Sequence, residues 1–288
     1  MNIGFFDSGL GGVAVLKEAL DTGLSENIYY LGDTKNTPYG TKDENFVKEV
    51  INDNIDYLVS LDCNPIVIAC NTATSLCVNE LREKYPKINF IGTEPAVKVA
   101  ADAKDSKKIL VLATTITAKQ EKLHALIKEL DIDSKVKILP ADKLVLFAED
   151  IDCKNKSKEV EEYITELLSD LDLHEFSHIV LGCTHFPLFR KEFANVIHTK
   201  DENLIIDIVD GAEGISKNLI RTINKMNNRN DYIKQDKSVT IVTTSNKPEF
   251  ITRVNEILEN EPIKVDIKLR ENYKKISLNC SKIYCNVI

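Results

Sequence analysis

Short apolar runs alternate along nearly the whole chain with longer stretches in which apolar residues recur every three or four positions. The short runs are Asn2–Phe6, Asn27–Leu31, Pro65–Ala69, Asn89–Gly92, Lys108–Ala113, Lys135–Leu139, His178–Gly182, Leu204–Val209, Val239–Thr243 and Ile263–Leu269. Their length and content predict strands. The longer stretches, for example Phe46, Val50 and Leu58, or Val160, Tyr163, Ile164, Leu167 and Leu168, keep the helical period. Apolar strands separated by amphipathic helices predict parallel sheets with helices on both faces, an α/β fold.

The 288 residues suffice for one large or two ordinary domains. Hydrophobic residues make up 43% and charged residues 28% of the chain, the balance of a soluble globular protein. No apolar run reaches the ~18 residues of a membrane span. Met1 leads directly into a strand, with no basic-then-apolar leader, so a cytoplasmic location and no membrane partner are expected. A net charge of -8 argues against a nucleic-acid surface, which needs clustered Lys and Arg. The seven cysteines form no Cys-x-x-Cys pair, so reduced thiols are expected rather than disulfides or a metal site.

No low-complexity tract marks a boundary, and the most polar stretch, Asn227–Lys237, reads as a surface loop. An internal echo is more informative. Pro65-Ile-Val-Ile-Ala-Cys70-Asn71-Thr72 and His178-Ile-Val-Leu-Gly-Cys183-Thr184-His185 share one grammar: a buried strand, a small residue, a cysteine, then polar residues opening a helix. Two such units suggest two similar α/β halves facing each other.

In open α/β sheets ligands bind beyond the carboxyl ends of the strands, where both Cys70 and Cys183 fall. A helix starting there offers free N–H groups that can lower a thiol pKa from about 8.5 and hold a carboxylate. A single cysteine at such a point also serves as a small buried hydrophobe; two in matching frames favour paired chemistry. Asp7-Ser8-Gly9-Leu10-Gly11-Gly12 follows the first strand and precedes a helix over Val13–Leu20. It lacks the G-x-G-x-x-G of a dinucleotide site. Asp7 and Ser8 suit an ammonium or a thiol, or they simply cap the helix. Gly32 to Gly40 is an ordinary β–α loop or a wall of amides with Tyr39 over a site. His185 is placed to act on Cys183. Glu149 and Asp150, by spacing alone, mark an exposed helix end.

Phe6-Asp7-Ser8-Gly9-Leu10-Gly11-Gly12, Gly32-Asp33-Thr34 with Pro38-Tyr39-Gly40, Ala69-Cys70-Asn71-Thr72-Ala73, and Leu181-Gly182-Cys183-Thr184-His185-Phe186-Pro187-Leu188 together resemble the glutamate racemase family. The resemblance implies two pseudo-symmetric α/β domains with the active site between them. One would comprise 1–96 with 209–288 and carry Cys70; the other, 97–208, would carry Cys183. It implies a homodimeric, cofactor-independent and metal-free enzyme that interconverts L- and D-glutamate for peptidoglycan synthesis. Cys70 and Cys183 would be the catalytic pair, assisted by Asp7 and His185 respectively. Asp7, Ser8, Tyr39, Gly40, Asn71, Thr72, Thr184 and His185 would contact the amino acid. Thr114 and Glu149 match family positions with weaker local agreement. The family's usual Ala-Cys-Pro and Asp-Ser-Gly-Glu stand here as Pro140-Ala141-Asp142 and Asp210-Gly211-Ala212-Glu213. Some members carry an extra N-terminal segment and need a cell-wall precursor as activator; a first strand at Asn2 leads us to expect activity without it.

Racemisation removes the α-proton from one face of a stereocentre and returns a proton to the other, so a thiolate and a thiol on opposite sides meet the need. A racemase of the same fold acting on aspartate, or a non-catalytic amino-acid-binding protein, are the competing readings.

Overall fold

Ile3, Phe5, Phe6 and Asp7 are wholly buried. A strand with no exposed face has to lie inside a sheet covered by helices on both sides. The computed structural model describes residues 1–24, 26–93, 95–103, 106–226, 238–258, 264–270, 274–279 and 284–287, and β1 (Asn2–Asp7) lies inside its larger sheet. The chain continues through α1 (Gly11–Asp21), β2 (Asn27–Gly32), α2 (Glu44–Ser60), β3 (Cys63–Ile68), α3 (Asn71–Lys84), β4 (Phe90–Gly92) and α4 (Val97–Asp102). Next come β5 (Lys108–Ala113), α5 (Thr115–Lys119), α6 (Glu121–Glu129), β6 (Val136–Pro140), α7 (Lys143–Glu149), α8 (Ser157–Leu167), β7 (Phe176–Leu181), α9 (Arg190–Lys200) and β8 (Asp207–Asp210). The last elements are α10 (Ala212–Met226), β9 (Ser238–Thr243), α11 (Pro248–Ile257), β10 (Lys264–Leu269), β11 (Lys274–Asn279) and β12 (Tyr284–Val287).

The strands sort into two sheets, β12-β11-β10-β9-β2-β1-β3-β4 and β6-β5-β7-β8. The segments β2-β1-β3-β4 and β6-β5-β7-β8 have one arrangement: the first strand in chain order lies between the second and third, with the fourth outside. The echo of the two strand–cysteine units thus has a topological counterpart, since β3 and β7 are the third strands of their sets. Alternation along β1 sends Phe5 into the layer of α1, α10 and α11, and Phe6 into that of α2 and α3. Along β5, Leu110 and Leu112 face one layer and Ile109 and Val111 the other. Both sheets are therefore covered on two sides, as the apolar runs predict. No helix among the described residues is long and apolar enough to cross a membrane.

Every predicted run forms a strand, although Ile263 and the loop Asn227–Lys237 lie outside the described residues. The structure departs from the pattern reading in three places. β8 begins at Asp207 rather than Leu204, because the Leu204 N–H turns back to Asp201 and β7 offers partners only from His178 onward. In α2 the period holds but the phase is shifted: Val47, Ile51, Ile55 and Leu58 point inward, whereas Phe46 is 41% exposed. At one end of the larger sheet, β11 and β12 are antiparallel additions to an otherwise parallel sheet. Their few alternating apolar residues, Ile276 and Leu278 in the first, are too brief to read as a buried run.

Because Phe6 fills the layer between β1 and two helices, Phe6→Ala should cost about 3–5 kcal/mol through lost transfer energy plus a residual cavity. Urea unfolding should show a lower midpoint with an unchanged slope; a loss below about 1 kcal/mol would mean that the layer collapses freely around the gap.

Candidate active site

In such sheets the crevice opens where the strand order reverses, between the first and third strands of each set. In the larger sheet that point lies between Asp7, which ends β1, and Cys70, which follows β3. In the smaller it lies between Thr114, after β5, and Cys183, after β7. Hydrogen bonds join the two ends directly. Thr184 Oγ1 donates to Asp7 Oδ1 at 3.1 Å, the Thr72 and Thr114 hydroxyls meet at 2.9 Å, and the Leu10 N–H donates to Glu149 Oε1 at 2.8 Å. The Ile116 N–H reaches the Gly40 carbonyl at 3.2 Å. Asp7, Ser8, Tyr39, Cys70, Asn71, Thr72, Thr114, Cys183, Thr184 and His185 are all buried there.

Cys70 caps α3. Its extended backbone lets Sγ accept the Ala73 N–H at 3.5 Å, and the thiol donates to Ser8 Oγ at 3.8 Å. The helix end was expected to lower the thiol pKa. Burial overrides it: loss of water and then the Asp7 carboxylate push the thiol far up, against the Ala73 N–H and Ser8 hydroxyl. Cys70 therefore holds its proton. Burial also raises Asp7, with His185 and the Gly9 and Gly12 N–H groups opposing. Neither Asp7 nor Ser8 caps α1, whose N-cap is Leu10 with no side-chain bond. The carboxylate instead receives the Gly9 N–H at 3.0 Å. A Cβ on Gly12 would come within 2.5 Å of Asp7 Cβ, so glycine is what lets the first turn of α1 approach the carboxylate.

Cys183 is handled differently. It opens not into an α-helix but into a 3-10 turn, Phe186–Phe189, ahead of α9. Its partner is His185, whose Nδ1 lies 3.7 Å from Sγ and whose Nε2 lies 2.7 Å from Glu149 Oε1. Burial pulls the imidazole down, but its bonds to Cys183 and Glu149 win and hold it well above its ordinary range. Burial likewise pushes Glu149 up, and His185, with the Leu10 N–H and Lys247, more than offsets this, so the carboxylate stays below its usual range. The Gly11 N–H also lies 3.3 Å from Nε2, but a ring nitrogen that donates to a carboxylate cannot accept, so that approach is packing. Glu149 is not the exposed helix end its spacing predicts. The β1–α1 loop covers the end of α7 and leaves its side chain 16% exposed.

Tyr39 lies under the site, but its phenol is committed to Asp33 Oδ2 at 2.6 Å. Thr244 donates to the other Asp33 oxygen, also at 2.6 Å, tying the β2–α2 loop to β9. A Cβ on Gly40 would fall 2.6 Å from Thr114 Cβ, so the two halves touch closely there. Asp142, one of the departures from the family pattern, accepts both the Thr115 N–H and its hydroxyl and anchors the loop that carries Thr114. Asp210, in the other, accepts the Ala212 N–H at the start of α10. Sequence reasoning missed Thr117, whose hydroxyl lies 3.0 Å from that of Thr114, and Tyr30, whose hydroxyl holds the Gly9 carbonyl at 2.6 Å. A Thr-x-x-Thr run after a strand was the available cue for Thr117; Tyr30 sits in an apolar strand with no cue at all.

Two sheets of like strand order, with a buried thiol after the third strand of each, define the class as an α/β protein with paired thiols at its crevice. Residues 20–212 match the family described as Asp/Glu/Hydantoin racemase. Glutamate racemase 2 of Bacillus subtilis (strain 168) is 38% identical over 264 residues, covering 90% of this chain and 96% of that protein. The glutamate racemase of Halothermothrix orenii is 41% identical over 219 residues, covering 76% and 83%. Among solved structures, the glutamate racemase isoform RacE1 from Bacillus anthracis superposes with a TM-score of 0.79 at 25% identity, covering 92% of this chain and 96% of that one. The chain belongs to the Asp/Glu/hydantoin racemase family, among its glutamate racemases.

The Glu149–His185 pair makes stability depend on pH. Glu149 is lowered in the folded state, so its contribution is present above roughly pH 4.3 and is lost as pH falls through the lowered value. His185 is raised, so its contribution is complete below roughly pH 6.5 and is lost as pH rises through the raised value. Calorimetric Tm should therefore decline on the alkaline side, and His185→Asn should blunt that decline. An unchanged alkaline slope in the variant would show that another group titrates.

Proposed function

We propose that this enzyme racemises glutamate without a cofactor, with Cys70 and Cys183 as acid and base on opposite faces of the substrate. The observation that carries the reading is the placement of one buried thiol at the end of the third strand in each of two like sheets, each thiol with its own polar neighbour. In the L-to-D direction the Cys183 thiolate takes the α-proton and becomes a thiol, while Cys70 gives its proton to the other face and becomes a thiolate. The D-to-L direction reverses both transfers. Burial that keeps Cys70 protonated prepares it as the acid of the first direction. A protonated His185 against Cys183 supports a thiolate there.

The substrate's charges are met by dipoles. Asn71 and Thr72 open α3, where free N–H groups favour a carboxylate, and the Thr114 and Thr184 hydroxyls lie at the same junction. Asp7 and Ser8 suit the ammonium, and the Tyr39–Gly40 backbone suits the second carboxylate. Such fixed donors in a dry crevice stabilise a developing carbanion more than water does. The reading includes two domains, 1–96 with 209–288 and 97–208, in a cytoplasmic homodimer that supplies D-glutamate for peptidoglycan.

Cys70→Ser and Cys183→Ser keep the side-chain size but replace the thiol with a far weaker acid. Each folded variant should lose racemisation in both directions by at least about a hundredfold, because a turnover needs both faces. Optical rotation and α-proton exchange in heavy water, with L-glutamate and with L-aspartate, read both loss and specificity. Near-normal rates in either variant refute the two-thiol mechanism, and faster exchange with aspartate refutes the substrate.

A further inference from the structure

α7 ends at Glu149, and one oxygen of that carboxylate accepts two donors from opposite halves of the crevice. The Leu10 N–H arrives from the β1–α1 loop of the larger sheet at 2.8 Å, and His185 Nε2 arrives from beyond β7 of the smaller sheet at 2.7 Å. The loop is set for this. The Tyr30 hydroxyl holds the Gly9 carbonyl at 2.6 Å, which fixes the peptide preceding Leu10. Position 9 has no room for a side chain, since a Cβ there would come 2.0 Å from Glu149 Oε1. His185 in turn stands 3.7 Å from Cys183 through its other nitrogen. The result is a continuous chain from the larger sheet, through Leu10, Glu149 and His185, to the sulfur of the smaller sheet.

We propose that Glu149 is a positioning residue: it holds His185 against Cys183 while the Leu10 N–H is docked on it, and so ties proton transfer at Cys183 to closure of the two halves. The assignment rests on the two-thiol reading above and replaces the direct substrate contact that family resemblance implies for Glu149. With Leu10 withdrawn, water reaches the carboxylate and competes for it, and a solvated ion pair holds its geometry poorly. With Leu10 docked, the pair is dry and His185 has a single orientation. The hydrogen-bond partners of the Cys70 sulfur, Ser8 and Ala73, belong to its own half. The charged or titratable groups around the pair are Asp7 from β1, Tyr30 from β2, Cys183, and Lys247 ahead of α11.

The test uses the full-length enzyme. Glu149→Gln keeps the length and an acceptor for Leu10 but removes the charge that holds His185. It should lower kcat about tenfold in both directions while KM stays within about twofold. The primary deuterium isotope effect should grow with 2-deuterated L-glutamate, whose proton Cys183 removes, and not with the D-enantiomer. Gly9→Ala, which places a methyl where Oε1 lies, should give the same fingerprint, and the double variant should be no worse than the poorer single one. Amide exchange at Leu10 should quicken in Glu149→Gln, a readout that needs no turnover. A rise in KM with kcat intact, or additive losses in the double variant, overturns the latch. A wild-type protein that leaves glutamate unchanged overturns the racemase reading itself, a result distinct from either.

Discussion

A polar group removed from water must find its partner inside the protein, and in this molecule many of those partners lie on the opposite sheet. Asp7 is satisfied by Thr184, Thr72 by Thr114 and Glu149 by Leu10, each pairing crossing the crevice. An unmade buried hydrogen bond costs on the order of 1–3 kcal/mol, so several at once make the closed arrangement strongly preferred over one with the same groups dry and unpaired. This constraint also dictates the glycines. Gly9, Gly12 and Gly40 stand where a Cβ would strike Glu149, Asp7 or Thr114, so the approach that satisfies the polar groups is open only to a residue without a side chain.

The two sulfurs illustrate how competing effects divide. A helix N-terminus and a hydroxyl act on Cys70, yet dehydration and the nearby Asp7 carboxylate outweigh them, leaving a neutral thiol. At Cys183 the helix start is displaced by a 3-10 turn, and a charged imidazole with its own carboxylate takes the place of backbone dipoles. Burying an imidazolium alone would cost several kcal/mol; the Glu149 contact is what makes it tolerable. Like positions in like sheets have thus been furnished with unlike electrostatics.

Much of the fold was legible because strands buried on both faces leave long apolar runs, and every such run proved to be a strand. Helix phase was less legible. Phe46 and Val47 satisfy the same period, and only the packing against β2 and β3 decides which points inward. The crevice could be located from the repeated strand–cysteine unit together with the rule that ligands sit beyond carboxyl ends. The contacts that cross it could not. Glu149 lies 139 residues from Leu10 and 36 from His185, and nothing local to any of them encodes the meeting. Tyr30 is hidden for a related reason: a tyrosine in an apolar strand looks like core until its hydroxyl is seen to end on the Gly9 carbonyl.

The repeated order β2-β1-β3-β4 and β6-β5-β7-β8 places two differently furnished thiols at equivalent points of one crevice. L- and D-glutamate are mirror images with equal free energy in water, so their equilibrium ratio is unity. The Haldane relationship then forces kcat/KM to be the same in both directions, however unequal the surroundings of the two sulfurs. The asymmetry between a hydroxyl-lined Cys70 and an imidazole-lined Cys183 can therefore act only on how that common ratio is divided. The enantiomer that is held more tightly must also be turned over more slowly at saturation, by the same factor.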